Sequence, residues 1–102
     1  MIEAEIYKAL GDPIRLEMVR RLSNGSPLNI GELSKDLGVT RQGARKQLQV
    51  LVSANVVHLT PHGRGTMVDL NKAPLKMAQE FISRLENEWE NRLEALKQFV
   101  ET

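Results

Sequence analysis

With 102 residues, 14 Lys and Arg against 13 Asp and Glu, and a net charge of +1, the chain has room for one hydrophobic core. Hydrophobic residues at 41% and charged residues at 26% are the balance of a globular protein, which excludes a disordered chain or one built of membrane spans. The absence of cysteine excludes disulfides, thiolate metal sites and a cysteine nucleophile together. The start, Met1-Ile2-Glu3-Ala4-Glu5, is acidic and lacks the basic-then-apolar order of a signal peptide, and no apolar run is long enough for a bilayer. A cytoplasmic location is expected.

Ile2, Ile6 and Leu10 recur every fourth residue, so a short amphipathic helix should end near Gly11. Asp12 offers a carboxylate to free amides and Pro13 suits a first helical position, so a second helix restarts there with Ile14, Met18, Val19 and Leu22 on its apolar side. Ser23-Asn24-Gly25-Ser26-Pro27 is turn chemistry and ends it. Leu28-Asn29-Ile30 reads as a very short strand, and Glu32 to Leu37 leaves room for barely two helical turns before Gly38, which suits a left-handed cap. Thr40 then caps a further amphipathic helix with Ala44, Leu48 and Leu51 along one side. A short helix, a Gly-containing turn and a Thr-capped helix are the outline of a helix-turn-helix, in which the first helix braces the second so that its polar face can enter a major groove.

Val56 to Thr60 is rich in branched residues and reads as a strand, Pro61 to Gly65 as a turn, and Thr66 to Leu70 as the returning strand. A hairpin directly after a helix-turn-helix is a wing. Arg64 at its tip stands between two glycines, which let the backbone approach a phosphate or the floor of a minor groove. Pro74 opens a long helix with Leu75, Ala78, Ile82, Leu85, Trp89, Leu93, Leu96 and Val100 at spacings of three and four, about 39 Å long if unbroken. So small a domain cannot cover that stripe and the first helix by itself, whereas a second copy about a two-fold axis would.

The expected architecture is therefore mostly α with a small β-hairpin: one winged helix-turn-helix domain over residues 1–102, dimerising through its first and last helices. The helix-turn-helix is placed at about 31–54, the wing at about 56–71 and the dimerisation helix at about 74–100. Ile6, Leu10, Ile82, Leu85, Trp89, Leu93 and Leu96 are expected between the copies.

Charge is distributed unevenly. Leu37 to Val68 contains no Asp or Glu, while Arg41, Arg45, Lys46 and Arg64 fall inside it. A positive, acid-free stretch suits a phosphate-facing surface, because each cation near the backbone releases condensed counterions; a merely solvated face is the bland alternative. From Glu80 to Glu101 acidic residues predominate, so that end should face away from DNA.

The whole chain resembles the ArsR-like family of bacterial and archaeal winged helix-turn-helix repressors. The resemblance is carried by Ala9-Leu10-Gly11-Asp12-Pro13-Ile14-Arg15, by Ile30-Gly31-Glu32-Leu33 with Leu37-Gly38-Val39-Thr40, by Arg41-Gln42 with Leu48-Gln49-Val50-Leu51, and by Gly63-Arg64 and Leu70-Asn71. It implies that the first and last helices form a dimer interface, that the helix after Thr40 reads a major groove, and that the wing touches the flanking backbone. It also implies repression relieved by a ligand, often a metal ion. Metal sensing does not carry over: where such sensors place paired cysteines this chain has Glu32, Leu33, Ser34 and Asp36, and its last helix has no His. Gln47 stands where the family usually has His, and Asn55 where it usually has Gly, a left-handed position that Asn tolerates.

Arg41 and Gln42 lie where side chains meet base edges, Arg suiting guanine and Gln adenine in bidentate pairs, with solvated caps as the alternative. Arg45 and Lys46 are expected on phosphates, Thr40 adds a hydroxyl, and Gln47 and Arg64 complete the DNA-facing set. Gly43 costs about 1 kcal/mol of helix propensity relative to Ala, which close approach to DNA or simple tolerance would explain. His58 and His62 find at most Asp69 as a third ligand, and no nucleophile, base and acid fall in a recognisable frame. No metal, cofactor or enzymatic site is expected, and a small-molecule effector is left open. The expected function is that of a homodimeric repressor on double-stranded DNA, binding an inverted-repeat operator with half-sites about 34 to 36 Å apart. A dimeric winged-helix module that binds protein instead is the reading from another class.

Overall fold

Asp12 sets the first corner of the chain. In the computed structural model, which describes residues 1–101, its Oδ2 accepts from the amides of Ile14 at 2.9 Å and Arg15 at 3.1 Å. These bonds separate α1 (Ile2–Leu10) from α2 (Pro13–Leu22), and Pro13, with no amide of its own, opens the second helix. After the turn, β1 (Leu28–Asn29) leads directly into α3 (Ile30–Ser34).

Helix α3 lies earlier than the predicted Glu32 to Leu37. Asn29 and Glu32 form a reciprocal capping box, with the Glu32 amide donating to Asn29 Oδ1 at 2.7 Å and the Asn29 amide to Glu32 Oε1 at 3.2 Å, so the helix begins at Ile30. It stops at Ser34, where Arg21 Nη1 donates to the carbonyls of Leu33 at 3.1 Å and Lys35 at 2.6 Å. Gly38 does adopt a left-handed φ of 73°, but inside the turn and four residues beyond the helix; Asp36, at φ 59°, shares that region. Then α4 (Arg41–Ser53) starts on Thr40, whose Oγ1 accepts from the Gly43 amide at 2.9 Å. It ends before Asn55, left-handed at φ 62°.

The sheet is antiparallel, with order β1-β3-β2, made with β2 (Val57–His62) and β3 (Gly65–Leu70). Val57 pairs with Leu70, Leu59 with Val68 and His62 with Gly65, while Leu28 of β1 pairs with Val68 from the other side. The turn is only Gly63-Arg64, narrower than the predicted Pro61 to Gly65. Gly63 at φ 59° gives the glycine-first order of a two-residue hairpin loop. Pro61 sits in β2 without breaking the sheet because β2 is an edge strand.

The core lies where α1, α2, α4 and the inner face of the sheet meet. Met18, Leu33, Leu51, Val56 and Val68 are fully enclosed, and Leu22 and Val57 close around them; every buried residue among those described is apolar. The last helix, α5 (Lys72–Glu101), begins two residues before Pro74, with Asn71 Oδ1 accepting from the Ala73 amide at 3.3 Å. Its first turns touch the body, with Pro74 and Ala78 buried, Leu75 packed on the core and Phe81 against Tyr7 of α1. At 30 residues it is about 45 Å long, and its projection stretches the molecule to 69 × 25 × 25 Å.

Candidate nucleic-acid interface

Helix α4 is amphipathic by a simple rule of spacing. Ala44, Leu48 and Leu51 face inward and are buried, so Gln42, Lys46 and Gln49 stand on the opposite side, exposed. Arg41 and Arg45, four residues apart, share the flank that faces the wing.

Gly43 has a local explanation: a Cβ there would stand 3.1 Å from Thr40 Oγ1, the atom that caps the helix. The residue makes room for the cap.

Arg41, Arg45 and Arg64 converge on one groove of about 410 Å³, completed by Asn29, Ile30, Gly31, Gly65 and Thr66. No carboxylate lines it. Among the described residues the ion pairs are those of Glu17 with Arg20 at 2.6 Å and with Arg21 at 3.2 Å, so the three groove arginines and Lys46 are unneutralised. An anion of phosphate size entering the groove would meet planar, forked donors from both α4 and the wing. Thr40, Arg41, Gln42, Arg45, Lys46 and Arg64 are all exposed on this side of the molecule.

Gln47 departs from the expectation. It is half-buried, on the flank away from the wing, and its Oε1 accepts from Arg15 Nη1 at 2.5 Å. Its carbonyl oxygen thus has a partner inside the protein, and nothing local in the sequence signals a partner 32 positions away. Gln49, seven residues after Gln42 and absent from the expected set, stands on the same outward side and borders the cleft between α4 and Leu59 and Thr66 of the wing. His58 and His62 are exposed on β2, and no group of three or more His, Cys, Asp or Glu suited to a metal occurs among the described residues.

The residues expected between copies divide into two groups. Ile82, Leu85, Trp89, Leu93 and Leu96 form an exposed apolar stripe on the projecting part of α5, with Trp89 at 61% exposure. Ile6 is 1% exposed and belongs to the chain's own core, so it is not presented to a partner; Ile2, four residues earlier, is the exposed member of that row. Leu10 is partly buried and packs against the same core. Phe81 is turned inward against Tyr7, ring centroids 6.3 Å apart. No helix among the described residues is long and apolar enough to cross a membrane.

A braced helix with an unneutralised basic flank, followed at once by a hairpin carrying a further arginine, defines a winged helix-turn-helix DNA-binding domain. A helix-turn-helix domain family matches residues 10–60. The chain is 31% identical over 96 residues to the HTH-type transcriptional regulator Rv2034 of Mycobacterium tuberculosis, spanning 94% of this chain and 86% of that protein. Among solved structures it is similar to an ArsR-like transcriptional regulator from Rhodococcus sp. RHA1, with a TM-score of 0.83, 28% identity and coverage of 96% of this chain and 92% of that one. It also shares its fold with a homodimeric winged helix-turn-helix DNA-binding domain, Mb0332 from Mycobacterium bovis, at a TM-score of 0.65 and 18% identity, covering 86% and 82% of the two chains. The protein belongs to the ArsR-like winged helix-turn-helix transcriptional regulators.

Proposed function

We propose that the chain is a homodimeric repressor that binds an inverted-repeat operator and acts in the cytoplasm, where it meets the chromosome. The observation that carries this reading is the convergence of Arg41, Arg45 and Arg64 on one groove free of carboxylates. In this reading Arg41 and Gln42 meet base edges, while Thr40, Arg45, Lys46 and Arg64 hold phosphates. The apolar stripe from Ile82 to Leu96, left bare by its own subunit, supports pairing with a second copy, as does the homodimeric state of the Mycobacterium bovis domain. Repression follows if the operator overlaps a promoter, since a dimer seated there excludes polymerase. The chain carries no catalytic machinery in this account.

The test is selection of duplex sites from a random pool by the purified protein, followed by anisotropy titration at several salt concentrations. An inverted repeat with half-sites about 34 to 36 Å apart and an affinity that falls steeply with salt are the expected results. Equal binding to all sequences, or none at low salt, would refute the proposal, the latter favouring a protein-binding module.

A further inference from the structure

Helix α2 gives one arginine to each helix of the helix-turn-helix. Arg21 closes the end of α3. Arg15 does more. Its Nε donates to the Ala9 carbonyl at 2.7 Å and its Nη2 to that of Lys8 at 3.3 Å, both at the end of α1, while its Nη1 donates to Gln47 Oε1 in the middle of α4. One planar guanidinium therefore joins three helices. Among the described residues this is the one side-chain hydrogen bond between α2 and α4.

The same α1 is pinned to the long helix: Tyr7 Oη donates to the Ala78 carbonyl, and the Tyr7 ring lies against Phe81. Helix α1 therefore carries two sets of contacts, Tyr7 reaching Ala78 of α5 and the carbonyls of Lys8 and Ala9 holding Arg15, which reaches Gln47 of α4. Apolar packing between helices is non-directional and tolerates small rotations, whereas a guanidinium fork holds its acceptors at fixed angles. Half-buried, Arg15 is also shielded from solvent competition for those acceptors.

We propose that Arg15 is a positioning residue that sets the angle of α4 against the α1 and α5 pair, and thereby the separation at which a dimer presents its two recognition helices. The inference rests on the dimeric DNA-binding reading above. Its consequence is selectivity for half-site spacing, a property no groove-facing residue controls alone.

The experiment compares the wild type with Arg15→Met, Gln47→Met and the pair, on the selected operator and on versions with its half-sites one base pair closer or farther apart. Each single variant should lose about tenfold in affinity at the native spacing and discriminate less between spacings, while affinity for random DNA stays within about twofold. The pair should lose no more than the worse single variant, because both break one link. Arg15→Lys keeps the charge without the fork and should show the flattened spacing profile too. If Arg15→Met fails to fold, Gln47→Met, which removes nothing from the core, carries the test. Additive losses in the pair, or an unchanged spacing profile in Gln47→Met, overturn this inference alone. Failure of the wild type to select any operator overturns instead the reading on which it rests.

Discussion

Gly43 and Thr40 make a pair whose energetics can be worked from one distance. Gly43 is the third residue of α4, where replacing Gly by Ala gains up to about 1 kcal/mol of helix propensity. Here the new Cβ would stand 3.1 Å from Thr40 Oγ1, closer than ordinary contact at 3.4 Å. The hydroxyl cannot simply retreat, because it already accepts from the Gly43 amide at 2.9 Å, and a shift of about 0.3 Å takes that bond to the limit of its range. Losing the cap costs about 1 kcal/mol, so Gly43→Ala in the wild type should be close to neutral. In a Thr40→Ala background the obstacle is gone, and the same substitution should stabilise by about 1 kcal/mol. Urea unfolding of the four proteins at one fixed concentration, since self-association shifts apparent stability, measures the coupling. Equal stabilisation by Gly43→Ala in both backgrounds would show that the cap moves aside without cost and would refute the reasoning.

Asn55→Ala should destabilise by about 1 to 2 kcal/mol in the same assay, because φ is 62° there, whereas Asn55→Gly should not. Arg41→Ala should cost about 1 to 3 kcal/mol on a selected operator and little on random DNA; Lys46→Ala should weaken both alike and flatten the salt slope by about one, as titrations on the two DNAs will show. Trp89→Glu places a charge in the middle of the bare stripe and should shift sedimentation towards the single subunit, with loss of operator affinity. The carboxylate of Glu17 is held down to about 2, chiefly by its hydrogen bond from Arg20 and then by Arg21, with partial desolvation opposing. A pKa depressed by folding contributes stability above the ordinary value of about 4.5 that is lost as pH falls towards 2. Glu17→Gln should therefore show a shallower fall in unfolding midpoint across that interval, by an amount that salt reduces.

Features decided within a few residues were legible. Asp12-Pro13 and Thr40 announce their helices because a cap needs only its own turn, and Asn55 shows where α4 must stop because few side chains accept that backbone. The misplacement of α3 is instructive for the same reason. Leu28 and Asn29 do form the short strand, yet Asn29 and Glu32 satisfy each other's amides, so Ile30 already belongs to the helix, and Arg21 of α2 ties off its last carbonyls from outside. In the wing, Pro61 and two glycines make the turn look wider than it is, since a proline on an edge strand leaves pairing intact.

What escaped the sequence was depth and long-range partnership. The row Ile2, Ile6 and Leu10 marks a face of α1, but periodicity is blind to how far each member sinks, and Ile6 reaches the core while Ile2, at the start of the helix, stays in solvent. The basic residues of α4 could be placed on one side by counting. That Arg64 shares a groove with Arg41 and Arg45 depends instead on the β2–β3 register folding the wing back over α3 and α4. Gln47 and Arg15 differ again, because their meeting joins helices whose contact is a tertiary event, and there a polar pair fixes an angle that apolar neighbours leave loose. A recognition helix presents its residues only as accurately as its supports hold it, so the contacts hidden from periodicity are those on which discrimination between operators depends.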